Sequence, residues 1–410
     1  MPYIVEDYAN IKQLLNDLSY RESKNIILKK HNHLSILKYN KNKLTIENNK
    51  TLGLFRSVIV NEMGEIVCFA PPKSMDFDVF AQTNKKEDCI FEIFYEGTMI
   101  NVFFDKVVND WQIATRSNIG AKCNFNQDCD TTYRSMFLDA MLHTGLEFWD
   151  LNKDWCYSFV LQHPKNRIVA PITEPKLIIT NIFNIVNEDK VQKVYTINDQ
   201  ELIDYYGSEK LMKLCKYLTD KQEDNTESWS ELIDHYYSLN LDYKIQGVVI
   251  YNKNGDRTKI RNKNYEKIKH LKGNSPKLQY QYYTLRQNNK VKEFLEYYPE
   301  YKNEFFDFRR ELHNYTSQLY QNYINCFIKK QRPLKEYPFQ YKTHMFKLHE
   351  HYLLDLKPDN RYVNKSVVIN YVNTLPPPRL MFVVNYVKKE YDKDYKVVNS
   401  DLKVVMKSEI

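Results

Sequence analysis

The stretch Phe94-Tyr95-Glu96-Gly97-Thr98-Met99-Ile100-Asn101-Val102 decides how this chain is read. Around it, Asp88 to Asp105 and Trp111 to Arg116 have the β-branched and aromatic texture of a pair of strands. Upstream, Phe55-Arg56-Ser57-Val58-Ile59-Val60 and Glu65-Ile66-Val67-Cys68-Phe69-Ala70 read as two strands around the turn Asn61-Glu62-Met63-Gly64. Further upstream, Ile11, Leu14, Leu15 and Leu18 recur at helical spacing. Downstream, 133–148 reads as a helix, and Trp155 to Ala170 as β with a turn at Pro164-Lys165-Asn166. Asn198 with Glu201, and Ser228 with Glu231, have capping-box spacing and predict two helix starts. Ile245 to Tyr251, Asn252-Lys253-Asn254-Gly255 and Thr258-Lys259-Ile260-Arg261 spell a hairpin.

At 410 residues the chain favours two domains. No apolar run approaches the roughly 18 residues that span a bilayer. The start, with no basic region followed by an apolar core, predicts no secretory signal. The seven cysteines form no CxxC pair, and Cys123 and Cys129 are the nearest two, so a reduced, intracellular protein is expected. With 33 Tyr and only 9 Gly the composition reads as the codon bias of an AT-rich genome, which weakens any claim that tyrosines were selected to stack on bases. The net charge of +7 is uneven. Residues 251–290 hold eleven Lys/Arg against Asp256 and Glu266, enough for a polyanion-binding surface. There is no P-loop, no GxGxxG and no Ser/His/Asp or Cys/His pattern. His344, His349 and His351 lack partners at zinc-site spacing.

Several segments, in order over residues 50–272, resemble RNA ligases of the bacteriophage T4 type, a family of covalent nucleotidyltransferases. Phe55 to Val60 and Ala70-Pro71-Pro72-Lys73-Ser74 resemble the strand and "PFxKFFN" turn before the nucleotide-attachment motif. Phe94 to Thr98 is similar to that motif, Lys-x-Asp/Glu-Gly, with Phe94 at the lysine position. Trp111 to Ser117 resembles "ATRG/S", and Phe159 to Val169 resembles "FELxxPxNRIV". Gln246-Gly247-Val248-Val249-Ile250 resembles "EGxVI", and Lys259 to Tyr265 resembles "KxKxxxY". The resemblance implies a nucleotide- or phosphate-binding set of Lys73, Glu96, Gly97, Arg116, Arg167, Gln246, Lys259 and Arg261. It also implies loss of chemistry. A phenyl ring at 94 cannot attack the α-phosphate. Val160 stands for the glutamate of "FEL", and Gln246 for that of "EGxVI", where Mg²⁺ prefers a carboxylate. No catalytic residue and no metal ligand is therefore assigned, and Lys85 and Lys86 lie too far back along the chain to substitute.

The expectation is an α+β fold: a nucleotidyltransferase domain with ATP-grasp-like antiparallel sheets over 1–272, then a mainly helical C-terminal domain over 273–410. In the latter, Phe305, Phe308, Leu312, Tyr315, Leu319, Tyr323 and Phe327 form one aromatic stripe on a long helix. A second helix is expected over 341–355, Pro376-Pro377-Pro378 is expected to end the helical part, and the last residues to be poorly anchored. Tyr297-Tyr298-Pro299-Glu300, Tyr337-Pro338-Phe339 and Leu348 to Tyr352 resemble the C-terminal extension of ligase-like proteins of large DNA viruses. The resemblance thus implies a catalytically inactive RNA-ligase-like protein that binds RNA, or viral RNA-processing or translation proteins, in host cytoplasm or virion. ATP or GTP would be held without covalent attachment. Two alternatives stay open: an active ligase with a non-standard nucleophile, and a structural or virion protein with a vestigial pocket.

Overall fold

The computed structural model describes residues 2–124 and 131–386. The chain divides into two compact units, 1–270 and 271 onward. Cys129 and the chain after 386 lie outside the described residues.

The first unit is built on three sheets. Strands β1 (Ile26–His31), β2 (Leu34–Tyr39), β3 (Val58–Asn61) and β4 (Ile66–Phe69) make an antiparallel sheet in sequence order. β1 and β2 were not foreseen. Lys29, Lys30 and His31 are exposed on the edge strand, so only one face of β1 carries an apolar pattern, while Asn32 turns the chain at φ 51°. Strand β5 (Ile90–Ile93) is followed by β6 (Thr98–Asp105), β7 (Asp110–Thr115), β8 (Asn118–Ile119), β9 (Trp155–Gln162), β10 (Lys176–Glu188) and β11 (Val191–Thr196). These last six form the large sheet in the order β11-β10-β9-β6-β7-β8. Strands β12 (Gly247–Tyr251) and β13 (Arg257–Arg261) are the expected hairpin, and β5 joins them in the order β13-β12-β5.

The reading of 88–105 as one strand is therefore corrected. β5 pairs with β12, β6 pairs with β7 and β9, and Phe94–Gly97 is the crossing between two sheets. Of the β segment expected over 155–170 with a turn at Pro164–Asn166, the strand ends at Gln162, the turn is present, and no strand follows it up to Ala170. His163 then caps a single tight turn, Pro164–Asn166, by accepting from the Lys165 N–H. The amino-terminal apolar stripe breaks at Asp17, which caps a new helix Leu18–Ser23, so Leu18 is exposed. Both helices begin where expected, Asp199–Cys215 with a full capping box and Trp229–Tyr237 with Ser228 accepting from the Glu231 N–H at 3.2 Å. The first sheet shares its core with the large sheet, whose Phe103, Ala114, Cys156, Phe183 and Val194 pack with it. The large one packs on Tyr133–Thr144 through Met136, Phe137 and Ala140, and the small one on Phe77–Thr83 and Trp229–Tyr237 through Phe80, Leu232 and Tyr236.

The second unit is helical among its described residues. Lys302–Tyr323 buries Phe305, Leu312, Tyr315, Leu319 and Tyr323, so the aromatic stripe is core. Tyr315 stacks on Tyr341 of helix Phe339–His351, with centroids 5.2 Å apart. The proline run does not end the helical part. Pro377 opens a further helix, Pro377–Val384, because a proline in the first turn gives up an N–H that has no intrahelical partner anyway.

Candidate phosphate-binding cleft

Two glycines fix the backbone at the sheet crossing. Gly97 has φ 152°, and a Cβ there would lie 2.5 Å from the Leu161 carbonyl oxygen and 2.6 Å from Val160 Cγ1. Gly247 has φ 144°, and a Cβ would lie 2.1 Å from the Ile260 carbonyl oxygen. Between β5 and Gly97, the Phe94 N–H donates to the Gly247 carbonyl at 3.2 Å, tying position 94 to the hairpin.

Glu96 faces inward. Its carboxylate accepts from the N–H groups of Ile168 (3.0 Å), Val169 (2.9 and 3.0 Å) and Ala170 (3.0 Å). It also bonds the Tyr265 hydroxyl, which burial first and Glu96 second push well up. Arg167, on the same turn, donates through Nε and Nη2 to the Val169 carbonyl at 3.1 and 2.9 Å. Neither Glu96 nor Arg167 lines the large cavity. Gln246 stands outside it as well, and its Oε1 is buried without a hydrogen-bond partner.

The other basic residues singled out from the sequence do converge. Lys73, Arg116, Lys259 and Arg261, with Lys41, Lys50 and Arg56, line a cleft of about 930 Å³ whose only acidic lining residues are Glu47 and Asp76. Asp76 caps the helix Phe77–Thr83 by accepting from the Asp78 N–H at 3.1 Å. Arg56 was missed. It sits in the quoted segment 55–60, but nothing in that strand-like run marks it as a cation that faces a cavity. Its Nη1 approaches the Pro71 carbonyl at 3.4 Å, and burial first, then Arg257, pull it down to about 9, leaving it charged at neutral pH.

The cations are held by carbonyls and rings more than by carboxylates. Arg116 Nε donates to the Arg56 carbonyl at 3.1 Å, and its guanidinium lies 4.6 Å from the Tyr39 ring centre. Lys73 Nζ donates to the Ser74 carbonyl at 3.3 Å, and burial, then Arg56, Arg261 and Arg257, lower it. Arg261 pairs loosely with Glu266 at 3.4 Å. Lys259 Nζ lies 4.6 Å from the centre of the Phe94 ring, and the Arg261 guanidinium 5.9 Å from it. Burial, then Arg257, Arg56, Arg261 and Lys73, push Lys259 down to about 6.

The basic segment 251–290 does not all face solvent as a free basic run. It falls across both units, Arg257 turns in to the Pro72 carbonyl at 2.8 Å, and Lys253 pairs with Asp88 at 2.5 Å. Among the described residues no group of three or more His, Cys, Asp or Glu could hold a metal ion, and no helix is long and apolar enough to cross a membrane.

Comparison with known proteins adds a partial match. Over 98 residues the chain is 26% identical to an RNA ligase of Rhodothermus phage RM378. Part of this chain is RNA-ligase-like. The match covers 22% of the chain and 22% of that ligase, so it spans about a fifth of the relative's length. No family model matches. Among solved structures, the chain is similar at 12% identity to a putative ATP-dependent DNA ligase from Aquifex aeolicus, over 84% of this chain and 80% of that one, with a TM-score of 0.37. It is similar at 11% identity to an archaeal ATP-dependent RNA ligase, over 89% and 77%, with a TM-score of 0.38.

Proposed function

We propose that this RNA-ligase-like chain binds RNA or another phosphate-rich ligand in the cleft of its first unit, and transfers no nucleotide through position 94. The observation that carries the reading is the convergence of Arg56, Lys73, Arg116, Lys259 and Arg261 on one cavity beside a phenyl ring. A phenyl ring has no lone pair to give to phosphorus. Val160 packs against Gly97 where a glutamate would reach towards a nucleotide, and Gln246 offers an amide in place of a carboxylate. Basic groups suffice to hold an anion, whereas transfer needs a nucleophile and a neutralised leaving group.

The rival reading, a structural protein with a collapsed pocket, is disfavoured by the cleft's volume of about 930 Å³ and its charged lining. The test is RNA affinity measured against salt for the wild type and for Arg56→Gln/Arg116→Gln. Lost phosphate contacts should flatten the log–log slope by roughly one per cation removed. A wild-type slope near zero would remove RNA from the reading.

A further inference from the structure

The helical second unit holds a cavity of its own, of about 300 Å³. Three helices build it by the same device. Leu278–Gln287 sets Tyr282 and Arg286 one turn apart, Lys302–Tyr323 does so with Arg309 and His313, and Lys365–Thr374 with Ile369 and Asn373. Residues four apart share a helix face, so each helix turns one pair to the same space. Polar contacts pin two of these helices together. Arg286 Nη2 donates to Asn373 Oδ1 at 2.5 Å, and Gln287 Nε2 to the Leu375 carbonyl at 2.6 Å.

The charge in this cavity has one sign. Arg286 and Arg309 line it, and among the described residues no Asp or Glu does. Neither guanidinium pairs with a described carboxylate, and the nearby Asp307 is taken by Arg310 at 2.7 Å. Burial raises the Tyr282 hydroxyl, while Arg286 and Arg309 act in the other direction, which places both cations around it. The hydroxyl stays protonated at neutral pH and is a further donor. Two planar forks and a hydroxyl match a group with several acceptor oxygens and two negative charges. A phosphate monoester is such a group, at about −1.5 to −2 near pH 7. A single carboxylate brings half the charge.

A nucleic-acid strand fits less well. Tyr282 is 4% exposed, with its ring against Phe305 at 5.1 Å, so it is no platform for a stacked base. The adjoining helix Val291–Tyr297 carries Glu293 and Glu296 against Lys292, which breaks any basic track along that side. Val291, Leu312 and Ile369 instead give the cavity an apolar wall against which a short carrier can pack.

We propose that the cavity of the second unit binds a phosphate monoester, free or carried on a serine or threonine side chain, with Arg286 and Arg309 clasping the phosphate and Tyr282 donating to it. The site stands whether or not the first unit holds RNA. The probes are glycerol 3-phosphate, a short phosphothreonine peptide and inorganic phosphate, titrated calorimetrically into the full chain. At least one ester should bind roughly tenfold or more tighter than inorganic phosphate, and the tighter of the two identifies the source. Arg286→Gln/Arg309→Gln should weaken that binding roughly tenfold or more, whereas Arg56→Gln/Arg116→Gln in the first unit should leave it within about threefold. Arg309 is exposed and has no carboxylate partner among the described residues, so Arg309→Gln alone should keep the urea midpoint and still weaken the ester by about fivefold. Three results would overturn the proposal. One is that neither ester exceeds inorganic phosphate. Another is that ester binding survives Arg309→Gln at an unchanged urea midpoint, or is lost instead in the first-unit pair. The third is that 5′-phosphorylated RNA displaces the ester with roughly tenfold greater affinity through the same two arginines, which would make the ligand a nucleic-acid end.

Discussion

Lys259 carries the sharpest consequence at the scale of single residues. Its amine is held near 6 in the folded chain against about 10.5 when unfolded, so between those values the unfolded state binds more protons. Its contribution to stability therefore rises with pH from about 6 towards 10.5, as the cost of stripping its proton on folding disappears. Urea midpoints measured across that interval should climb more steeply for the wild type than for Lys259→Met; parallel curves would contradict the assignment. Glu96 makes a separate prediction. Removing a carboxylate that satisfies one buried and two half-buried N–H groups should cost about 3 kcal/mol, so Glu96→Ala should lower the midpoint well before it alters the cleft. Of the seven basic residues that line the cleft, Lys73, Arg116, Lys259 and Arg261 were named from the motif order. Arg56 was not, because an arginine inside an apolar strand-like run reads as an interruption until folding turns it to the cavity. Glu96 and Arg167 were named beside the cleft residues for the same reason in reverse: sequence order cannot say on which side of a turn a side chain falls.

Among the elements, the crossing from β5 to β6 organises the site. Two strands contiguous in sequence serve two sheets, and only glycine fits at Gly97, where the crossing meets β9, and at Gly247, where the start of β12 meets β13. Gly247→Ala would set a Cβ 2.1 Å from a backbone oxygen that cannot swing aside, in a conformation that favours glycine. The expected loss is more than about 3 kcal/mol, read as a shift of the urea midpoint or as insoluble protein. Wild-type stability in Gly247→Ala would mean that β12 and β13 sit further apart. The hairpin β12–β13 and both helix caps were readable from local chemistry alone. The crossing was not, because the strand texture of 88–105 is continuous and only pairing partners reveal the change of sheet. The helix Pro377–Val384 was hidden for a related reason, a proline run serving equally as a stop and as a first turn.

For the whole molecule, two compact units assign the cleft to the first. Every lining residue falls between Tyr39 and Arg261, so a chain cut after residue 270 should keep the salt-dependent RNA affinity within about threefold. A loss of roughly a hundredfold would show that residues beyond 270 supply the dominant contacts. The aromatic core of the second unit was plain from its spacing, but spacing says nothing of what that unit touches. The central claim, an anion-binding cleft without transfer through position 94, is tested most directly by α-phosphate-labelled ATP and GTP. One incubation is divided, half filtered under native conditions and half denatured and run on a gel. The account predicts label retained on the native protein and none on the denatured chain. A labelled band that survives denaturation would contradict it.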